Sequence, residues 1–115
     1  IVSYSNKSKI KFLNVSSFDL NEKGAVSKEI AIEMVKGLSF NENKKIISVS
    51  VTGIAGPIGE MSNKTKGLVY FGINGSNGVQ VENQIFIGNR AKIRNSSVFW
   101  ALRIITNYLA LIIKS

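Results

Sequence analysis

The sequence predicts a layered α/β domain in which helices flank a mixed β-sheet, and three observations support this fold class. The chain of 115 residues is 44% hydrophobic, which is enough for one domain with a buried core. Runs rich in β-branched residues alternate with runs of helical periodicity, in the order strand, helix, strand, hairpin, helix. No repeat or linker interrupts this order, so we expect residues 1–115 to form a single domain.

The first half of the chain contains a predicted short strand and an amphipathic helix. Residues 1–5 are β-rich, and the polar and basic residues 6–13 are expected to form a helical turn. Asp19 and Glu22 have the spacing of a capping box. Ser27 is a suitable N-cap for the helix that follows. The buried face of that helix is expected to contain Ile30, Met34, Val35 and Leu38.

The second half of the chain contains predicted strands and one long helix. Residues 46–51 form a strand whose serines alternate on one side. Residues 68–73 and 79–87 form a hairpin around an Asn-Gly-Ser-Asn-Gly turn. Asn89 is a suitable cap for a helix that extends to about residue 113. The buried stripe of this helix is expected to contain Ile93, Trp100, Ala101, Ile104, Tyr108, Leu109 and Ile112.

The chain contains no cysteine and no histidine. The first absence excludes disulfide scaffolds, thiolate nucleophiles and Cys-ligated metal sites. The second excludes the usual general base and every Ser-His-Asp triad. Any chemistry must therefore use Lys, Tyr, Ser, Thr, Arg or carboxylates. Asp19, Glu22, Glu60 and Glu82 do not cluster at metal-ligand spacing, so we expect no metal and no cofactor.

Fifteen lysines and arginines against seven acidic residues give a net charge of +8, which is compatible with a polyanionic partner. The lysines are scattered and lack interleaved aromatics, so a solvated basic surface is expected rather than nucleic-acid binding. Phe99 and Trp100 are expected in the core rather than on a stacking platform. Arg103 and Asn107 interrupt the most apolar segment, residues 98–113, so no membrane partner is expected.

A glycine-rich loop with the sequence Thr-Gly-Ile-Ala-Gly-Pro-Ile-Gly follows the strand at 46–51. Open α/β sheets bind ligands at the carboxyl ends of strands, where backbone N–H groups are available. The loop has neither a Walker motif nor a dinucleotide fingerprint, and an ordinary strand-exit turn is the alternative. The candidate residues are Thr52, Gly53, Ala55, Gly56 and Gly59.

Two further groups contain cations. Residues 4–9, after the first strand, include Lys7 and Lys9, and a lysine whose pKa is lowered can act as a base. The alternative is an exposed basic loop. Arg90 and Arg94 lie four residues apart at the start of the last helix, where they suit a phosphate or carboxylate ligand. The alternative is that both are solvated, or that Arg94 pairs with a carboxylate.

Four sequence segments occur together in the order found in one family. They are Ile-Val-Ser-Tyr-Ser-Asn-x-x-Lys-Ile at 1–10, Gly-Ala-Val-Ser at 24–27, Ser-Val-Thr-Gly-Ile-Ala-Gly-Pro at 50–57 and Gly-Asn-Arg-x-x-x-Arg at 88–94. This pattern resembles the CinA C-terminal domain family, the nicotinamide-nucleotide amidohydrolases or nicotinamide mononucleotide deamidases. The segment at 50–57 is the most specific part of the resemblance.

The resemblance implies a cytoplasmic hydrolase that acts in pyridine-nucleotide salvage without a metal. Its reaction converts the carboxamide of nicotinamide mononucleotide to nicotinate mononucleotide and ammonia. The family's serine nucleophile lies in an Ala-Glu-Ser-Cys-Thr-Gly-Gly-like motif ahead of the strand at 1–5, and this motif is absent from the 115 residues. We therefore expect a domain without its first strand–helix segment, inactive as an isolated chain. A homodimer is also expected from the resemblance.

The resemblance also assigns roles to individual residues. The residues that match catalytic positions of the family are Lys9, Tyr4, Thr52 and Arg90. The residues that match substrate-binding positions are Ser5, Asn6, Gly53, Ala55, Gly56, Gly59 and Arg94.

A second interpretation is a catalytically inactive member of the family that acts as a nucleotide-binding or interaction module. Ile58 and Glu60 replace glycines that are usual in the loop, and Thr65-Lys66 replaces the usual Pro-Val. Glu60 would place an anion near an anionic substrate. A serine-containing, glycine-rich segment ahead of Ile1 in the complete gene would favour the enzyme.

Overall fold

The computed structural model describes residues 16–24, 26–37, 46–53 and 67–114. These residues form helices α1 (Ser17–Lys23), α2 (Lys28–Gly37) and α3 (Arg90–Lys114), and strands β1 (Ser48–Gly53), β2 (Leu68–Gly75) and β3 (Gly78–Ile85). The described strands have the order β1-β2-β3, and both pairs are antiparallel. Helices flank this sheet, as predicted. The strand predicted at 1–5 and the helical turn predicted at 6–13 lie outside the described residues.

Helix α1 begins earlier than its predicted cap. The Ser16 hydroxyl accepts a hydrogen bond from the Asp19 backbone N–H at 3.2 Å, so Ser16 is the N-cap. The capping box predicted at Asp19 and Glu22 is therefore wrong: Asp19 lies in the first turn. The helix ends at Gly24, whose φ of 80° is a conformation that glycine adopts without strain.

Helices α2 and α3 begin at the caps that the sequence predicts. The Ser27 hydroxyl accepts a hydrogen bond from the Ile30 N–H at 3.3 Å. The Asn89 side-chain oxygen accepts one from the Lys92 N–H at 2.9 Å. In α2 the predicted apolar face is buried, while Leu38 lies outside the described residues.

One face of the sheet is lined by small and polar side chains and contacts α2. Ser48, Ser50 and Thr52 of β1 are buried, and the Ser50 hydroxyl donates to the Ala31 carbonyl of α2 at 2.7 Å. A Cβ added to Gly72 of β2 would lie 2.7 Å from the same carbonyl. The α2 backbone therefore approaches the sheet closely, which explains why the serine side of β1 is the buried side.

Helix α3 covers the opposite, apolar face of the sheet. Val69 and Phe71 of β2 form a buried cluster with Ile93 of α3. Phe86, just after β3, packs edge-on against Phe71 with ring centroids 6.3 Å apart. Trp100, Ala101 and Ile104 pack against the same cluster. The hairpin forms as predicted, although β3 ends at Ile85 rather than at residue 87.

Two residues predicted in the core are exposed on α3. Phe99 is 76% exposed and Leu109 is 41% exposed. Ile93 and Tyr108 face the sheet together with Ser97. Each residue turns the helix by about 100°, so Phe99 lies roughly 200° beyond Ser97 and Leu109 roughly 100° beyond Tyr108. Both side chains are therefore directed away from the sheet.

The buried Tyr108 anchors the turn end of the hairpin. The Tyr108 hydroxyl donates to the Gly78 carbonyl at 2.9 Å and accepts from the Asn77 N–H at 2.8 Å. Ile93 packs at the other end of the hairpin, beside Val69. Helix α3 thus runs along the full length of the β2–β3 hairpin, and its first turn lies beside the start of β2.

Candidate functional site

The carboxyl end of β1 and the N terminus of α3 lie at the same end of the sheet. Gly53, the last residue of β1, pairs with Val69 of β2. Val69 packs against Ile93, and the Ile93 N–H donates to the Asn89 carbonyl at 2.9 Å. The structure therefore places four predicted site residues at one end of the sheet. Thr52 and Gly53 end β1, and Arg90 and Arg94 begin the helix that covers the face opposite to the Thr52 side chain.

Thr52 is the buried hydroxyl residue at this end of β1. It is 7% exposed, and it lies on the α2 face of the sheet, two residues after Ser50. A β-branched residue suits this strand position, and its hydroxyl supplies a donor and an acceptor beside the loop that follows. The fold thus fixes Thr52 where β1 leads into the glycine-rich segment.

Two residues next to Thr52 were not predicted from the sequence. Tyr70 of β2 pairs with Thr52, and Asn83 of β3 pairs with Tyr70. Paired residues of antiparallel strands share a face, so a hydroxyl, a phenol and an amide form a row across the sheet. Tyr70 is half-buried and Asn83 is exposed. Only the strand register reveals this row, because the three residues are far apart in sequence.

Gly53 is required by close packing at the strand end. A Cβ added there would lie 2.7 Å from Cγ2 of Val69 and 3.3 Å from the Leu68 carbonyl oxygen. The first of these distances is too short for two carbon atoms. A side chain at position 53 would therefore push β1 away from β2 at the point where the loop begins.

Arg90 and Arg94 lie in the first two turns of α3, and both are exposed. Residues four apart share a helix face, and the first turn contains no acidic residue. Within the described ranges neither guanidinium forms an ion pair with a carboxylate. Free N–H groups at a helix N terminus and two adjacent cations attract an anion such as a phosphate or carboxylate.

The other predicted site residues lie outside the described residues. These are Tyr4, Ser5, Asn6 and Lys9, and the loop residues Ala55, Gly56 and Gly59. Their roles remain predictions, and the described geometry concerns only the strand end and the helix start.

The sequence pattern agrees with a comparison against protein families. The model of the CinA C-terminal domain matches residues 1–109. The chain belongs to the CinA C-terminal domain family. A CinA-like protein from Fusobacterium nucleatum is 48% identical over 102 residues, which are 89% of this chain and 24% of the relative. A putative competence-damage inducible protein from Clostridium tetani is 46% identical, covering 89% of this chain and 25% of the relative. This CinA domain chain therefore spans about a quarter of the length of such relatives.

Solved structures of CinA proteins have the same fold. The competence damage-inducible protein A from Klebsiella pneumoniae superposes with a TM-score of 0.86 and 28% identity, over 95% of this chain and 67% of that one. The competence/damage inducible protein CihA from Agrobacterium tumefaciens gives a TM-score of 0.83 and 33% identity, over 92% and 65%. The predicted family and the layered α/β fold are confirmed.

Proposed function

We propose that the complete protein hydrolyses the carboxamide of nicotinamide mononucleotide to nicotinate mononucleotide and ammonia. One observation carries this proposal: the Thr-Gly strand end and the Arg-x-x-x-Arg helix start, which match the family's motifs, lie at one end of one sheet. Membership of the CinA family supports the same assignment.

The proposed chemistry is covalent catalysis by a serine and a lysine. The serine belongs to the family's nucleophile motif, which the complete protein must supply because these 115 residues lack it. Lys9 accepts the serine proton while the serine oxygen attacks the carboxamide carbon. The C–N bond then breaks, and ammonia leaves with the proton from Lys9. Water hydrolyses the acyl-serine ester, which releases the carboxylate product and restores the serine.

The described residues would bind the substrate and stabilise charge. Backbone N–H groups that follow Thr52 and Gly53 are suited to stabilise the oxyanion of the tetrahedral intermediate. Arg90 and Arg94 would bind the phosphate of the mononucleotide, since guanidinium groups form paired hydrogen bonds with phosphate oxygens. The alternative role of these arginines is to lower the pKa of Lys9 by charge repulsion.

Substitution of the lysine tests the mechanism in the protein expressed from its complete reading frame. Lys9→Ala is expected to lower kcat for ammonia release by roughly 100-fold or more, the usual cost of losing a general base. Lys36→Ala is the matched control, because Lys36 is an exposed lysine in the last turn of α2. An unchanged kcat for Lys9→Ala would remove Lys9 from the mechanism.

The second candidate function is a nucleotide-binding or interaction module without catalysis. Ile58 and Glu60, which replace glycines that are usual in the loop, favour it. Binding of nicotinamide mononucleotide without ammonia release by the complete protein would support this candidate. Ammonia release that depends on Lys9 would exclude it.

We also propose that the protein is a cytoplasmic homodimer that binds neither nucleic acid nor membranes. The support is the family resemblance and the scattered distribution of the lysines. Sedimentation equilibrium of the complete protein measures the oligomeric state, and a monomer at micromolar concentration would contradict the proposal.

A further inference from the structure

Helix α3 has a second apolar face in addition to the face that covers the sheet. Five apolar side chains on it are largely exposed, and we call them the outer stripe: Val98, Phe99, Leu102, Leu109 and Ile113. Ile93, Ser97 and Tyr108 face the sheet from the opposite side of the helix. A helix that is apolar on both sides is normally buried on both sides, so the outer stripe indicates a contact that the described residues do not supply.

The spacing of the stripe specifies a helix as the covering element. Phe99, Leu102, Thr106, Leu109 and Ile113 are separated by three, four, three and four residues, which is the spacing of a coiled-coil seam. The Thr106 hydroxyl already donates to the Leu102 carbonyl at 2.9 Å, so it needs no partner across the seam. A second helix can therefore pack along the stripe for about two heptads.

The charge of α3 indicates which charges a helix packed on the outer stripe would carry. Its 25 residues include Arg90, Lys92, Arg94, Arg103 and Lys114 and no acidic residue. Arg103 flanks the stripe, and its guanidinium carbon lies 5.2 Å from the centre of the Trp100 ring. Arg103 is the one charged residue between Phe99 and Ile113. A helix with a carboxylate beside its seam would complement it, whereas a second copy of α3 has no acidic residue to offer.

A membrane is a less suitable cover for this helix. Among the described helices α3 is the one long and apolar enough to span a bilayer, but its inner face already packs on the sheet. The side chains of Arg94 and Arg103 would lie within such a span, which is costly in hydrocarbon. Solved relatives, in contrast, contain additional chain: the match covers 67% of the Klebsiella protein and 65% of the Agrobacterium protein.

We propose that the outer stripe of α3 binds an amphipathic helix that carries carboxylates beside its apolar seam, and that the residues of the complete protein beyond this chain supply that helix. The stripe then becomes part of the buried core of the complete domain. This inference is independent of the proposed amidohydrolase activity, because it concerns only the packing of α3.

The test uses two synthetic helices of about four heptads with leucine at the seam positions. One has glutamate and the other lysine at the flanking positions. A fluorescent dye at one end of each synthetic helix reports binding through its anisotropy, because Trp100 packs towards the sheet and not into the stripe. The 115-residue chain is expected to bind the glutamate helix saturably and the lysine helix at least about tenfold more weakly. Equal binding of the two helices, or binding of neither, would overturn the proposal.

Two leucines of α3 provide a matched pair of variants. Leu102 in the stripe is 58% exposed, and Leu111 outside the stripe is 53% exposed. Leu102→Ala is expected to weaken binding of the glutamate helix by roughly tenfold or more, whereas Leu111→Ala leaves it unchanged. Equal effects of the two substitutions would contradict a specific seam. Circular dichroism of both variants confirms that α3 remains folded.

The source of the natural helix is tested with the protein from the complete reading frame. If its own residues cover the stripe, this protein does not bind the glutamate helix. Binding as tight as that of the 115-residue chain would overturn the proposed source. Two further outcomes would also overturn the proposal. Self-association of the complete protein that Leu102→Ala abolishes would assign the stripe to a second copy. Binding to phosphatidylglycerol vesicles that depends on Leu102 would assign it to a membrane.

Discussion

Folding changes the ionisation of a half-buried carboxyl group in α2. Oε1 of Glu33 in α2 accepts a hydrogen bond from the Ser16 N–H at 2.7 Å. Its Oε2 is buried and has no hydrogen-bond partner in the described part of the chain. Burial of the carboxyl group, followed by the neighbouring Asp19 carboxyl, raises the pKa of Glu33 above the ordinary value of 4.5.

This pKa shift predicts how the stability of the fold depends on pH. Because folding raises the pKa, the protonated Glu33 is favoured in the folded state. Its contribution to stability is therefore fully present below pH 4.5 and is lost as the pH rises through the higher pKa of the folded state. The neutral Glu33→Gln variant keeps the acceptor for Ser16 and removes this dependence.

We expect Glu33→Gln to become more stable relative to the wild type as the pH rises from 4 to about 7. Urea unfolding of both proteins across this pH range measures the difference in the free energy of unfolding. A difference that is constant with pH would show that Glu33 does not titrate differently in the folded and unfolded states.

At the scale of elements, the contact between α2 and the sheet depends on small side chains. A methyl group at Gly72 would lie 2.7 Å from the Ala31 carbonyl oxygen and 2.7 Å from the Ser50 hydroxyl oxygen. The carbonyl belongs to the α2 backbone and cannot rotate away as a flexible side chain could. The helix would have to move off the sheet.

Gly72→Ala is therefore expected to destabilise the fold by about 1–3 kcal/mol, the usual cost of overpacking a core. The midpoint of urea unfolding, followed by circular dichroism, measures the effect. Ala91→Gly is a useful contrast, because Ala91 is exposed on α3 and its replacement should cost no more than about 1 kcal/mol through helix propensity. An unchanged midpoint for Gly72→Ala would mean that α2 is not held at this distance.

The arginines at the start of α3 are predicted to bind the substrate. If Arg94 binds the phosphate of nicotinamide mononucleotide, Arg94→Ala in the complete protein should raise KM by roughly tenfold or more. Hydrolysis of nicotinamide riboside, which has no phosphate, should be unchanged. Lys92→Ala controls for the general loss of a cation, because Lys92 is also exposed in the first turn. An equal loss with both substrates would assign Arg94 a role other than phosphate binding.

At the scale of the whole molecule, the chain contains only some of the residues that the proposed reaction needs. The strand end and the helix start lie together in it, while the family's serine motif is absent from its sequence. The isolated 115-residue chain is therefore expected to release no ammonia from nicotinamide mononucleotide above background. An ammonia assay with the purified chain tests this, with the complete protein as the positive control. Release by the isolated chain would show that another residue is the nucleophile.

Local signals in the sequence determined most of the elements and their limits. The caps at Ser27 and Asn89 form as predicted because each involves a hydrogen bond to a residue three positions away. The β2–β3 hairpin forms because its turn residues favour a tight reversal. The family motif also identifies Thr52 and Arg90 as candidate site residues.

Long-range packing sets which faces are buried and which residues meet. Periodicity separates the serine side of β1 from its valine side, but the close approach of α2 made the serine side the inner one. The sequence likewise does not determine whether Phe99 is buried, because an apolar residue on a helix can face either the sheet or another partner. Thr52 and Tyr70 lie side by side only through strand register, because such long-range pairing depends on the packing of the whole sheet rather than on neighbouring residues.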